Sequence, residues 1–593
     1  MGEATIPARL FAHGRTRGDS PAYYVKDPSS QQWRMTNYRD YAALVKKAAR
    51  AMIAGGFAED GKVCILGFNR PEWCIFALAA MAAGGAASGI YLTSSAPEIQ
   101  YILDHSEASF LLIETKEHWE KIKSLPRKCR VVAMPGAGID DPEVIGWDAF
   151  LASGEGVPER AVEERTAALR PDGVAVLIYT SGTTGPPKAV MLSHNNITWV
   201  SDSAQKLGDT SGDDQLLSYL PLAHIAEQVF TIHGAASIGY AVWFVESLLK
   251  LPDNLKEVRP TFFFGVPRIW EKFHAGISAK LASAPPSKKM IFEWATGVGR
   301  RANERKNRGE TPGGLLAVQY RIANKLVFSK LRQALGLDRT RVCVSGAAPI
   351  APHVLEFFAG LDLTVHEVYG QSEDAGPTTF NYMGRVKYGT VGQPLDGLEV
   401  KIASDGEILV RGPSVFLGYY KDPAATAETL IDGWLHSGDL GEQDKDGFVR
   451  ITGRKKEIII TAGGKNIAPR NIEEAIKKES LVEEVVVIGD RRRYLTALVT
   501  VNMEAMAKFA PGLSQAQAAQ DPRVEAAIAK QIELVNKDLA SVETVKKFRI
   551  LPRSFTIESG ELTPSLKIKR KKVAEQFAAE IESMYPPEGV MAL

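Results

Sequence analysis

The sequence predicts an α/β protein, with a large N-terminal domain of mostly parallel sheets covered by helices and a small α+β domain after it. Three observations lead there. A chain of 593 residues exceeds what one hydrophobic core organises, at roughly 100–200 residues per domain. From Pro21 to about Leu169, short β-rich runs alternate with helical periods, as they do where parallel strands are joined through helices. From Ile458 onward the pattern becomes short strands, Val485–Ile488 and Leu495–Val501, with one amphipathic helix over Val524–Leu539.

In chain order, Val63–Leu66 reads as a strand, Pro71–Ala83 as a helix, and Ser109–Ile113 and Arg130–Ala133 as strands. The uncharged stretch Cys74–Ser95 has the ~20 residues a bilayer crossing needs. Its alanines and glycines carry little transfer free energy, so it reads instead as a close-packed buried helix ending in a Gly-Gly turn. The apolar run Val174–Tyr179 then meets Thr180, Ser181, Gly182, Thr183, Thr184, Gly185, Pro186, Pro187 and Lys188. Backbone amides, small hydroxyls and one lysine can converge there on an anion without bulk in the way, which suits phosphate. Two prolines separate the last glycine from Lys188, so this is not the phosphate loop of the small NTPases. Ala189–Leu192 reads as a second strand and Ser193 as a helix cap, giving strand, loop, strand and the start of a second sheet unit.

Farther on, Gly346 and Ala347 form a turn after a strand, and Tyr369-Gly370-Gln371-Ser372-Glu373 repeats that design. Glycine turns at strand ends admit a planar base, Tyr369 offers a stacking face, and Glu373 offers the hard oxygen that magnesium prefers. Asp439 can accept ribose hydroxyls and Arg454 can add a second grip on a nucleotide. His224, in Leu220-Pro221-Leu222-Ala223-His224, reads on its own as a satisfied core histidine. With 71 Lys and Arg against 70 Asp and Glu, no global field argues for nucleic acid. Cys64, Cys74, Cys129 and Cys343 have neither metal nor disulfide spacing, and Met1–Arg9 lacks an apolar signal core, so the chain reads as cytoplasmic.

Taken in order, these motifs resemble those of the adenylate-forming superfamily: AMP-forming acyl-CoA synthetases, luciferases and peptide-synthetase adenylation domains. The resemblance runs from about Pro21 to Lys572 and is nearest to long-chain fatty acyl-CoA synthetases of the bubblegum or bacterial type. It implies ATP and coenzyme A as substrates beside a long-chain fatty acid, with Mg2+ held by Glu373 and Thr180. It also implies a carboxylate pocket lined by His224 and by Phe262–Arg268, and Lys188 with Thr183 and Thr184 around pyrophosphate. The catalytic lysine falls at Lys567 in Glu561–Arg570, with Lys569 the next candidate. Gly464 would face a thiol tunnel, and the small domain would be mobile about a hinge at Glu457. The implied division is residues 1–453, a hinge at 454–458, and 459–593. Two departures stand out: Ala189 and Leu566 occupy positions where many relatives carry glycine.

Residues 276–337 read as a basic helical insert broken at Pro285-Pro286 and at 309–312, of a kind that long-chain relatives carry. Its lysines and arginines fit either a solvated face or peripheral contact with an anionic membrane surface. No obligate protein partner is evident. The resemblance thus implies ATP-dependent ligation of a long-chain fatty acid to coenzyme A through an acyl-adenylate, releasing AMP and pyrophosphate. A ligase delivering the acyl group to a carrier protein would share every ATP motif, and a non-enzymatic fatty acid carrier would share the fold.

Overall fold

The computed structural model describes residues 3–180, 186–463, 465–564 and 566–585. Among them an eight-stranded sheet carries the front half of the chain. Its order runs Gly418–Tyr419, Lys188–Ser193, Val174–Thr180, Ala86–Ile90, Lys62–Leu66, Phe110–Ile113, Arg130–Ala133 and Val144–Gly146. The strands are parallel from Val174–Thr180 to Val144–Gly146, and the two at the other edge pair antiparallel. The phosphate loop therefore opens no second sheet unit, because both its flanking strands complete the first sheet. The α-helix Pro71–Ala82 is buried along nearly its whole surface, as an alanine-rich stretch uncharged after Glu72 requires,. It ends at Gly84 with φ +96°, and the next strand, Ala86–Ile90, is not legible in the sequence.

A second sheet runs parallel through Phe262–Gly265, Val342–Ser345 and Val365–Tyr369, then adds two short antiparallel strands. A third joins Gln215–Ser218, Ala241–Phe244 and Pro21–Lys26 in parallel, with Trp33–Asn37 antiparallel at its edge. The fourth is wholly antiparallel, built around Glu407–Arg411, Trp434–Gln443 and Val449–Arg454. It is a departure from the expected parallel pattern and brings Asp439 opposite Arg454 in register.

The insert is helical as expected, in Pro267–Ala282, Pro286–Lys306, Gly314–Ala323 and Ser329–Leu335, the last two joined by a π-helical turn. Two of its cations turn inward: Lys306 and Arg332 both pair with Asp362, at 2.7 and 3.0 Å. Beyond Glu457, strands Val482–Ile488, Leu495–Val501 and Val545–Ile550 form one sheet, against which Pro469–Ile476 and Pro522–Lys537 bury Ile472, Ile476, Ile528 and Ile532. This small domain has its own core.

Candidate active site

Thr180 and Lys188 pair directly across the strands that bracket the loop, and the Thr180 hydroxyl donates to the Lys188 carbonyl at 3.4 Å. Ser181, Gly182, Thr183, Thr184, Gly185 and Gly464 lie outside the described residues. The Lys188 Nζ stands 4.9 Å from the centre of the Tyr419 ring, and the Tyr419 hydroxyl donates to Glu373 Oε1 at 2.9 Å. One tyrosine thus ties the lysine of one motif to the carboxylate of another. The other oxygen of Glu373 makes no hydrogen bond among the described residues. All four side chains line a single cavity of about 790 Å³.

Tight backbone shapes its polar wall. A β-carbon on Gly370 would fall 1.4 Å from the Gly376 carbonyl oxygen, and one on Gly346 would fall 2.5 Å from Val368 Cγ1. Ala347 sits in the left-handed region at φ 68° and lines the cavity with Gly370, Ser372 and Glu373. Tyr369 is buried beside the cavity, and its hydroxyl donates to Asp439 Oδ2 at 2.9 Å. Gln371 donates to the same oxygen at 2.8 Å, while Arg454 Nε reaches Asp439 Oδ1 at 2.9 Å. Three donors thus engage both oxygens of Asp439, which is buried beside the cavity and is not among the residues lining it. Burial works against charge on Arg454, but Asp439 overrides it and raises the guanidinium pKa.

Lys567 enters the cavity from the small domain. Its side chain is exposed to the cavity interior yet surrounded by protein, and burial together with nearby Arg454 holds its ammonium pKa below the usual lysine value. The turn that presents it closes through the Thr563 amide, which donates to the Lys567 carbonyl at 2.8 Å. Leu566 stands there at φ 62°, which explains why glycine suits that position,. Ala189, by contrast, pairs with Tyr179 inside the strand ladder, where a methyl group costs nothing. Lys569 stands at the N-cap position of the helix Arg570–Gln576, with no side-chain cap, and does not line the cavity.

His224 is the N-cap of Ile225–Gln228, its Nδ1 accepting from the Ala226 amide at 3.1 Å. Burial and the charge of Lys567 push its pKa down to about 4, so it lines the cavity as a neutral ring. The strand beneath makes room: a β-carbon on Gly89 would meet Ala223 Cα at 2.6 Å. The same cavity is lined by apolar side chains, Leu207, Leu216, Phe230, Phe262, Phe264 and Val344, alongside the polar Thr210, Asp214 and Gln215. Several supports escape a reading of the sequence although they lie inside its motifs: Gln371 and Tyr419 above, and Arg570. The guanidinium of Arg570 holds Glu473 through two hydrogen bonds, one of them 2.7 Å, with its Nε 3.7 Å from Glu457. Thr93 adds a contact between domains, donating to the Pro564 carbonyl at 2.7 Å.

Residues 10–420 match the family model described as AMP-binding enzyme, and residues 456–588 match the AMP-binding enzyme C-terminal domain. The chain belongs to the AMP-binding enzyme family. Among its relatives, the human "Long-chain-fatty-acid--CoA ligase ACSBG2" is 37% identical over 98% of this chain and 92% of its own length. "Long-chain-fatty-acid--CoA ligase FadD15" of Mycobacterium tuberculosis is 36% identical over 98% and 97%. The AMP-binding fold is shared with solved structures at lower identity. The A domain of carboxylic acid reductase from Segniliparus rugosus, in complex with AMP and a co-purified carboxylic acid, gives a TM-score of 0.71 at 22% identity, covering 98% of this chain and 94% of that one. MenE from Bacillus subtilis, in complex with ATP and magnesium ion, gives 0.66 at 20%, covering 95% and 98%.

Proposed function

We propose that this member of the AMP-binding enzyme family ligates a long-chain fatty acid to coenzyme A in two steps, forming an acyl-adenylate and then a thioester. The observation that carries this reading is one continuous cavity with two chemistries. Lys188, Glu373 and Lys567 line it together with an apolar set, Leu216, Phe230, Phe262, Phe264 and Val344, that we take as a limb for the acyl chain. A fatty carboxylate placed at the junction has its tail in the apolar limb and its oxygens beside Lys567. Neither step needs a protein nucleophile, so the residues act by holding two anions in attacking geometry and cancelling their charge.

In the first step a carboxylate oxygen bonds to the α-phosphorus of ATP while the bond to pyrophosphate breaks. Lys567 lies where it can neutralise both anions, and Lys188 faces the departing phosphates. Magnesium suits the donor set of Glu373, with its free carboxylate oxygen, and Thr180, and it supplies charge neutralisation on the phosphates. His224, uncharged, shapes the junction without adding a proton. In the second step the coenzyme A thiolate sulfur bonds to the acyl carbon and AMP departs, which requires Lys567 to withdraw. Rotation of residues 459–593 about Glu457, presenting Gly464 in its place, serves that need.

The test is pyrophosphate release across fatty acids of graded length, with and without coenzyme A. Coenzyme A-dependent AMP release with no carrier protein supports the reading. Acyl-AMP that accumulates until a carrier protein is added favours the rival ligase.

Peripheral contact with an anionic membrane belongs to the same proposal. No helix among the described residues is long and apolar enough to cross a membrane. On the insert, however, Leu315, Val318, Ile322 and Leu326 follow helical spacing and are all exposed, Leu315 by 74%. Met290 and Trp294 are also exposed on the neighbouring helix. Exposed Arg321, Lys325 and Arg301 accompany this stripe, a pattern suited to lying in a headgroup layer,.

A further inference from the structure

The helix after His224 is irregular where it borders the apolar limb. Ile225–Gln228 widens into a π-helix, Val229–Gly234, before closing as Ala235–Ile238. Such turns are rare and concentrate at functional sites. This one presents Val229, Phe230 and Gly234 to the cavity.

Two tyrosine hydroxyls hold it. Tyr240 donates to the Phe230 carbonyl, and the fully buried Tyr38 sits against the carbonyls of Ala235 and Tyr240, 2.9 Å from each. The Tyr240 hydroxyl also fills the place where a side chain on Gly234 would start. A β-carbon there would lie 2.3 Å from that oxygen and 2.7 Å from the Val229 carbonyl oxygen. The hydroxyl at 240 therefore requires glycine at 234, and the Val229 carbonyl requires it too. Phe230, whose backbone Tyr240 grips, packs its ring against Phe262 and Phe264 with centroids 5.2 and 5.1 Å away. All three rings line the cavity.

We propose that Tyr240 and Gly234 form a latch that fixes the π-helical turn, making Tyr240 a positioning residue that determines which acyl chain lengths the channel accepts. The inference rests on the apolar limb being the acyl channel. Without the latch the turn relaxes toward the α register, and a one-residue change of register rotates one side of the turn relative to the other by roughly 100°. Phe230 then leaves its place between Phe262 and Phe264, and the distal channel changes width. The reaction centre, carried by Lys188, Glu373 and Lys567, is untouched.

The experiment compares wild type, Tyr240→Phe, Gly234→Ala and the double variant by kcat and KM on saturated fatty acids from octanoate to octadecanoate. Tyr240→Phe removes one oxygen. For the chain length that wild type prefers, KM should rise about 3–10-fold, the size of one lost hydrogen bond. The KM for ATP should hold, and short chains should respond least, so the length profile shifts. Gly234→Ala should shift the profile in the same direction, and the double variant should be no worse than the more severe single, because both break one device. If Gly234→Ala fails to fold, Tyr240→Phe decides alone. A uniform fall at every length, or two effects that multiply independently, overturns the latch. An active wild type with an unshifted Tyr240→Phe profile overturns it while the ligase reading stands. A wild type that makes no acyl-CoA from any fatty acid overturns both.

Discussion

Arg570 joins Glu457, the proposed hinge, to the small domain: its guanidinium chelates the buried Glu473 while its Nε stands 3.7 Å from the Glu457 carboxylate. Both side chains are largely shielded, and in the proposed two-position cycle this contact belongs to the arrangement that places Lys567 in the cavity. Glu457→Gln keeps the shape and removes the charge. A partly shielded pair contributes about 0.5–1 kcal/mol, so adenylation should slow roughly 2–5-fold. Thioester formation from supplied acyl-AMP should not slow, and equal slowing of both steps would remove the hinge from Glu457.

The metal assignment makes a sharper demand. Glu373 is tied to Tyr419 through one oxygen, which leaves the other for an ion. Glu373→Gln retains the contact to Tyr419 and removes the negative charge. The magnesium concentration for half-maximal adenylation should then rise steeply, with unchanged thermal unfolding. Unaltered magnesium dependence would show that the ion is held elsewhere.

How far the sequence foretells this site depends on the kind of signal. Thr180 and Lys188 are legible because turn residues and strand runs are local properties. The strand Ala86–Ile90 is not, since Ala-Ala-Ser-Gly-Ile has little β propensity and is held by neighbours on both sides,. The antiparallel sheet around Trp434–Gln443 escapes for a similar reason, as its register is set by partners distant in sequence. Tyr369 stands out as a flat ring, but which way a ring faces depends on packing. Here its hydroxyl holds Asp439, and the sequence carries no sign of that.

The insert makes a prediction about surfaces. Each basic residue near anionic lipid contributes about 1 kcal/mol, and salt weakens the attraction. Co-sedimentation with phosphatidylglycerol-containing vesicles should be strong at low salt and fall at high salt. Leu315→Ser with Ile322→Ser should reduce it at both, because the apolar stripe is not screened. Failure to sediment at low salt leaves a solvated face.

The buried titratable groups predict an unusual pH profile. Burial pushes the Glu227 and Asp374 carboxyls up to about 7 and Glu367 to about 8. It also holds His194 and His224 down at about 4 and His233 at about 3. A carboxyl raised on folding contributes stability below its ordinary value of 4.5 or 3.8, lost as pH rises through the folded value,. A histidine lowered on folding contributes above 6.5, lost as pH falls through the folded value,. Between about 4.5 and 6.5 the folded carboxyls and the unfolded imidazoles bind equal numbers of protons, so these groups leave stability flat. From pH 6.5 to 8 only the carboxyls differ, and stability should fall by about 1.4 kcal/mol per pH unit for each proton. Tm should therefore be lower at pH 8 than at pH 6, and Glu227→Gln should lessen the drop. A Tm that climbs over that interval contradicts the buried neutral carboxyls.

The division of labour between the half-reactions gives the last prediction. Lys567 is the one candidate lysine of the small domain that lines the cavity, and its environment of Arg454, Asp439 and Glu373 is that of the nucleotide end. A compact positive charge there matters when carboxylate and α-phosphate approach, and it is in the way when the thiol must enter. Lys567→Ala should lower acyl-AMP formation by ~10²–10³-fold, the size of losing one positioned charge-stabilising group. Given synthetic acyl-AMP and coenzyme A, the same variant should form thioester near the wild-type rate. A bulky residue at Gly464 should do the reverse, sparing adenylation and blocking the thiol. The control is Lys569→Ala, which alters an N-cap position whose side chain makes no capping hydrogen bond and does not line the cavity, and it should leave both half-reactions intact. Equal impairment of both halves by Lys567→Ala would mean that the small domain keeps one position throughout the cycle.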